Sequence, residues 1–288
     1  MIWAVVFALA AALANAVNLM TQHKASIGAP RRVKGWRLAL YLPRQPLWLL
    51  GVAAAVGSFA FQALALHNGP MSVVQPVLVT ELVFVLILRW VWIHQDVARA
   101  AWAAVSVVCA ALAVFLTVAE PSGGHPYPTA KAWVSAGLVC GGAIAGLTVL
   151  GRAGSPVRRA AVLATAAGLT WALEATFLKT ATQTLATDGL AGMLTNWPVY
   201  ALVGATITGT LLQQAALHLG PLSVSQPFLV ITDPLTSIIL SVWLFGVHFT
   251  NSPVKIAIAA LAFAVMAGAV TVLSRTAPQD LAPSPLDG

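Results

Sequence analysis

One stretch occurs twice in this chain. Residues 62–79 read QALALHNGPMSVVQPVLV and residues 213–230 read QQAALHLGPLSVSQPFLV; aligned without a gap, 12 of 18 positions are identical at an offset of 151 residues. Gln, His, Gly, Ser and Pro match as well as the common apolar residues, so the agreement is not an accident of an Ala/Leu/Val-rich background. It marks an internal duplication, and a repeat constrains the fold more than any local pattern does.

Composition says in what solvent the duplicated unit folds. Of 288 residues, 59% are hydrophobic and only 8% charged, with a mean hydropathy of +0.86. A soluble domain carries about 25% charged residues, so this chain cannot cover a water-facing surface and reads as an integral membrane protein. Its partner is therefore the lipid bilayer. The net charge of +7 comes from basic residues between apolar runs, which implies membrane topology rather than a nucleic-acid face. Cys109 and Cys140 lie inside apolar runs, with neither metal spacing nor a disulfide framework.

A helix crossing ~30 Å of hydrocarbon needs about 20 apolar residues. Nine runs qualify: 2–21, 46–66, 70–92, 100–119, 131–150, 159–179, 197–218, 221–245 and 254–274. The first lacks a basic leader and is read as a retained helix rather than a signal peptide. The Pro-rich tail 276–288 is expected to be disordered. Basic residues divide unevenly. One side receives Lys24, Arg31, Arg32, Lys34, Arg37, Arg44, Arg89, Arg99, Arg152, Arg158, Arg159 and Arg275, and the other only Lys131, Lys179 and Lys255. The positive-inside rule then puts the N-terminus outside and the C-terminus in the cytoplasm of a cell-membrane protein. Trp48, Trp90, Trp92, Trp102, Trp133 and Trp197 sit near run ends, where indole prefers the headgroups.

Five helices separate each element from its duplicate, and an odd number reverses direction across the membrane. The expected fold is thus an all-α membrane protein with nine transmembrane helices. Residues 1–120 form a first four-helix repeat, 121–157 a connecting helix with its loops, and 158–275 a second, inverted repeat. Inverted repeats are a construction principle of secondary transporters.

Within the duplicated stretch, Gly69-Pro70 and Gly220-Pro221 are expected to be tight turns, Gly closing one helix in a left-handed cap and Pro opening the next. Gln75-Pro76 and Gln226-Pro227 follow, and Asp233-Pro234 repeats the device. Pro76, Pro227 and Pro234 each remove a helical hydrogen bond and are expected to kink their helices. The carbonyls of Ser72 and Ser223 then lose their donors and need protein or a watery cavity.

Three of the eight acidic residues fall inside apolar runs: Glu81, Glu174 and Asp233. Glu81 lies 11 residues past Pro70, about 16 Å deep, and Asp233 sits at a similar depth past Pro221. Each costs on the order of 2.5–3.5 kcal/mol to insert, which folding alone does not require. They are candidates for binding a cation, a coupling proton or a substrate amine. Ser223, Gln226, Val230, Asp233 and Ser237 step by three and four along one helix face. In the first copy that stripe reads Ser72, Gln75, Val79 and Leu82. Glu81 is one residue off it, turned by about 100°. Asn15, Asn18 and Gln22 share a stripe on the first run, answered by Trp171 and Glu174 on the sixth. Lys179, at the end of that run, is expected to reach the interface. Asn15, Asn18, Gln75, Gln226 and Trp171 are the residues expected to orient a substrate; Glu81 and Asp233 are the metal candidates, for Mg²⁺. Gln62, Gln213 and Gln214 suit helix–helix hydrogen bonds, and His67 and His218 suit turns. No phosphate loop, nucleophile elbow or zinc spacing occurs, so neither ATP hydrolysis nor other enzyme chemistry is expected. No resident cofactor is expected either, only Mg²⁺ or H⁺ as a transported or coupling ion.

The duplicated helix–Gly-Pro–helix unit and the proline-bearing helices after it resemble the drug/metabolite transporter superfamily, over nearly the whole chain. Its ten-helix EamA-like carriers have two five-helix repeats, from which nine runs and an outside N-terminus depart. Nine helices, the polar residues Asn15 and Asn18 followed by Gln22-His23-Lys24, and the glycine-punctuated run around Gly51, Gly57 and Leu66 are similar to the NIPA-like magnesium transporter branch. The resemblance implies alternating access of a small solute or cation around one mid-membrane site, with Mg²⁺ as the specific candidate. Two other readings remain open: an EamA-type exporter of small metabolites or amines, and a non-transporting assembly partner. Small-residue faces such as Gly141-Gly142-Ala143 to Gly146 suit pairing, including a homodimer.

Overall fold

All nine apolar runs are helical in the computed structural model, which describes residues 1–27, 45–93, 98–219, 222–249 and 252–276, with the side chains of 22–27, 93, 222, 223 and 276 left aside. In order come α1 (Ile2–Ile27), α2 (Pro46–Asn68), α3 (Met71–Leu78), α4 (Glu81–Ile93), α5 (Arg99–Ala119), α6 (Ala130–Leu150), α7 (Pro156–Thr195), α8 (Trp197–Leu219), α9 (Leu222–Phe245) and α10 (Pro253–Thr276). Eight spans among the described residues are long and apolar enough to cross a membrane, α3 and α4 counting as one. The other span, α8, is as long, but Gln213, Gln214 and His218 lower its hydropathy. The Gly220-Pro221 turn, the side chains of Gln22, His23, Lys24 and Ser223, the basic residues 31–44 and the tail 277–288 lie outside the described residues.

Burial is inverted relative to a soluble protein. Ala4, Ala8, Ala11, Ala12 and Ala16 line the inner face of α1 at 1% exposure or less, while Ile2 is 79% and Leu138 72% exposed. Water would not tolerate so much exposed apolar surface. Lipid does, and small residues let helix backbones approach where lipid offers no hydrophobic drive. The chain is accordingly a predominantly helical, multi-pass membrane protein.

The most extensive helix pairs are α1 with α2, α7 with α8, and α5 with α10. α3 is enclosed by α1, α2, α5, α7 and α9, and every residue from Met71 to Val77 is buried. α6 stands at the edge, chiefly against α7. A Cβ placed on its Gly137, Gly141, Gly142 or Gly146 would meet nothing within 4 Å among the described residues.

Three local expectations change. The expected kink at Pro76 is a break four residues on. Pro76 cannot donate to Ser72, and the chain tightens into three-residue turns: Val79 N to Pro76 O (3.3 Å), Thr80 N to Val77 O (3.0 Å) and Leu82 N to Val79 O (3.2 Å). The Thr80 hydroxyl donates to Val77 O as well, at 2.7 Å. Glu81 thereby opens α4. In the second copy, α9 runs unbroken through Pro227 and Pro234, so the two copies have diverged in shape.

Gly69 is not a left-handed cap. Its φ of −161° is extended backbone, and Pro70 precedes the first residue of α3 rather than occupying it. Glycine is required here by space, since a Cβ at residue 69 would lie 2.5 Å from Ala4 Cβ. Gly69→Ala is therefore expected to destabilise the protein by about 1–3 kcal/mol, as overpacking does. A melting temperature in detergent equal to that of the native chain would show instead that α1 yields freely.

The sixth run does not end at residue 179. α7 is helical for 40 residues, broken only at Gly189 (φ +69°). The segment from Thr176 to Thr187 has no proline. Thr176, Thr180 and Thr184 fold their hydroxyls onto carbonyls one turn back, a pattern that bends helices without breaking them. Trp133, Phe177 and Trp197 form one aromatic cluster, with centroid separations of 5.0–5.7 Å. The chain thus leaves the level of Phe177, turns at Gly189 and returns to that level at Trp197. Tyr127, in the loop after α5, meets Thr187 of this hairpin at 2.8 Å.

The loops after α5 and α9 are joined by a two-residue antiparallel bridge, β1 (Ser122–Gly123) with β2 (Val247–His248). Lys255 and Glu120 pair beside it at 2.7 Å. Both side chains are largely exposed, so the ion pair adds little.

Candidate functional site

Helix approach sets the geometry at the centre. Gly168 of α7 lies against α9 so closely that a Cβ there would sit 2.7 Å from Thr232 Cβ, 3.0 Å from Leu229 O and 3.2 Å from Asp233 N. The α9 turn carrying Asp233 is thereby pressed onto α7. Glu174, six residues further along α7 and only 4% exposed, lies within electrostatic range of Asp233. Ser237, one turn beyond Asp233, donates its hydroxyl to Asp233 Oδ1 at 3.2 Å. Two acidic side chains thus sit on the packed helices α7 and α9, within electrostatic range of each other.

Glu81 stands on other helices. Asn15 Nδ2 of α1 donates to Glu81 Oε2 at 2.7 Å, while Asn15 Oδ1 accepts from Asn18 Nδ2 at 3.4 Å. The polar stripe of α1 and the first turn of α4 therefore form one directed network. The two candidate metal residues have different neighbours: Glu81 accepts from Asn15, whereas Asp233 accepts from Ser237 and lies within electrostatic range of Glu174. The physical reason is register. Glu81 is one residue away from the position equivalent to Asp233, and one residue on a helix turns a side chain by about 100°, here toward α1. Among the described residues, no three His, Cys, Asp or Glu side chains gather around one point.

Trp171, one turn before Glu174, donates its indole N–H to Gln213 Oε1 of α8 at 3.0 Å. Its ring lies across Gly209, whose glycine leaves room for it; a Cβ there would be 3.2–3.4 Å from the ring atoms. Gln213 is thus the helix–helix bond expected of it, and Gln214 is exposed. Gln75 on α3 is 2% exposed and Ser72 fully buried. Ser72 Oγ and Gln75 Nε2 have no hydrogen-bond partner among the described residues. Such orphans in a buried helix are costly, by about 1–3 kcal/mol each, and mark where a polar solute or water is wanted. Gln226 is half-buried on α9, and Pro227 and Pro234 are buried in it. His67 and His218 are exposed at helix ends.

Lys179, expected to reach the interface, is buried among helix ends. It is 8% exposed, in mid-helix, and its ammonium donates to Leu66 O at 2.7 Å and Gly69 O at 2.8 Å. The sequence signals for its placement were the proline-free, threonine-rich continuation of the run to Gly189. Gly168, central to the carboxylate pair, was not singled out either. A lone glycine among alanines and leucines looks like any other small residue until a neighbouring helix lies on it.

An uncharacterized protein of Corynebacterium glutamicum is similar to this chain, 27% identical over 275 residues that cover 95% of each. No family model matches the chain, and no solved structure matches it.

Proposed function

We propose that the protein is a secondary transporter of the cytoplasmic membrane, of the drug/metabolite transporter kind, that carries a small cationic solute by alternating access. The observation that carries this reading is the Glu174–Asp233 pair. Two acidic side chains lie on packed helices within apolar spans and within electrostatic range of each other, where each is expensive, and a passing cation or proton is what offsets that expense. The packing supports two inverted repeats. α1 lies on α2 as α7 lies on α8, and α5 and α10, equivalent in the two halves, lie on each other. Residues 1–120 and 158–275 are then the repeats, with the N-terminus outside and the C-terminus in the cytoplasm. The orphaned Ser72 and Gln75, with the Asn15–Glu81 network, belong to the first half of the site. The Glu174–Asp233 pair, Trp171 and Gln226 belong to the second.

Two solutes fit. Mg²⁺ takes oxygen ligands and keeps several waters, so two carboxylates and amide oxygens suit it. A small amine is favoured by Trp171 one helical turn from Glu174, since an indole face and a carboxylate together hold an ammonium group. The open glycine face of α6 serves pairing with a second copy in either case, and would be the main surface of a non-transporting assembly partner.

The test is flux into proteoliposomes, with and without a pH gradient, of Mg²⁺ and of methylammonium. Saturable flux of either is expected, and a dependence on the gradient identifies the proton as coupling ion. Flux of neither, in protein shown to be folded by circular dichroism and a single gel-filtration peak, overturns the transporter reading and leaves the assembly partner.

A further inference from the structure

Lys179 is a buried ammonium held by carbonyl oxygens. Leu66 O is among the last carbonyls of α2, which a helix end leaves without intrahelical donors, and a cation is favoured there. Gly69 O belongs to the turn into α3. The ring of Phe245, the last residue of α9, lies 5.6 Å from the ammonium. Four residues along α7, Gln183 Nε2 donates to His67 O at 3.4 Å. At the same place Gly69 touches Ala4 of α1, and Phe245 O accepts from His125 N at 2.6 Å. One side chain therefore gathers α2, α3, α7 and α9 at the end of the bundle where α1 begins.

We propose that Lys179 is the latch of a gate at this end: its two bonds hold α7 against the α2–α3 turn when the end is closed, and break when it opens. This rests on the transporter reading above. The chemistry suits a contact made and broken in each cycle. A carboxylate partner would leave two buried charges to separate. Carbonyl dipoles leave only the ammonium, which water solvates as soon as the end opens. Lysine also offers a compact charge on a flexible stem, with three donors for two carbonyls and a ring face. The contact joins the two duplicated halves, as an alternating-access gate must, and it closes over Ser72, fully buried one turn below on α3.

A thiol at Ser72 reports the gate. In a background of Cys109→Ala and Cys140→Ala, Ser72→Cys is labelled with a membrane-impermeant maleimide, in right-side-out and inside-out vesicles. With Lys179 intact, labelling is expected to be slow. With Lys179→Met, which keeps the stem and removes the donors, it is expected to quicken at least about tenfold from the N-terminal side, the scale on which a two-state population answers the loss of a charge-assisted bond. Lys179→Arg, which keeps charge and donors, should return most of the protection. If Lys179→Met does not fold, Lys179→Gln takes the same readout. An unchanged rate in a folded variant overturns the latch, whatever the flux result. Faster labelling in a protein that moves neither Mg²⁺ nor methylammonium upholds the latch and overturns the transport reading.

Discussion

Glu174→Gln is expected to lose solute flux and gain thermal stability. The amide has the size and shape of the carboxylate, so packing at the α7–α9 interface is kept. What disappears is an ionisable carboxyl within an apolar span, whose charged form costs on the order of 2.5–3.5 kcal/mol to place there. Melting in detergent should therefore rise or stay level, the reverse of most substitutions at a 4% exposed position. On the proposed transport reading, a bound cation loses one of its two counter-charges. Truncating one member of a desolvated charge pair costs about 2–5 kcal/mol, which is roughly a 30- to 4000-fold loss in apparent affinity. Asp233→Asn should act the same way, and the double variant should cost less than the sum, because both acids serve one cation. Flux at native level in either single variant would remove the pair from the transport path. A stability loss in Glu174→Gln would point instead to a structural hydrogen-bond role.

The largest structural effect is expected at Gly168. Alanine favours a helix over glycine by about 1 kcal/mol, so Gly168→Ala would stabilise a helix that stood alone. Here the added Cβ would meet Thr232 Cβ at 2.7 Å and Leu229 O at 3.0 Å, neither of which is the end of a flexible side chain. Overpacking of about 1–3 kcal/mol should outweigh the propensity gain, and Gly168→Leu should prevent stable assembly. The same shift moves the α9 turn bearing Asp233 off α7, so Gly168→Ala should reduce flux as well. Thermal unfolding in detergent checks the sign: a variant more stable than the native chain would mean that α7 and α9 are not in tight contact at this point.

The same residues show what was legible in the chain and what was not. Mean hydropathy and scarce charge dictate a membrane solvent, and in lipid the backbone must bond to itself, so every apolar run had to be a helix. That argument needs no tertiary information, and the runs at 46–66, 100–119 and 131–150 match α2, α5 and α6 within a few residues at each end. The duplication, and the costly acids Glu81, Glu174 and Asp233, were visible for the same reason, because residue type alone sets their transfer cost. Pairing was different. Which acid meets which depends on helix rotation and approach, and lipid-exposed and interior faces of these helices carry similarly apolar residues, so periodicity says little about direction. Glu81 turned to Asn15 by one residue of register. Asp233 came within electrostatic range of Glu174 where Gly168 lets two backbones close. Lys179, expected at the interface, became a buried cross-link because α7 runs past it to Gly189 and the free carbonyls of α2 end beside it. Local composition determined the solvent, the helices and the residues costly to place among them; only the packing of one helix against another, fixed by where small residues allow contact, decided their partners.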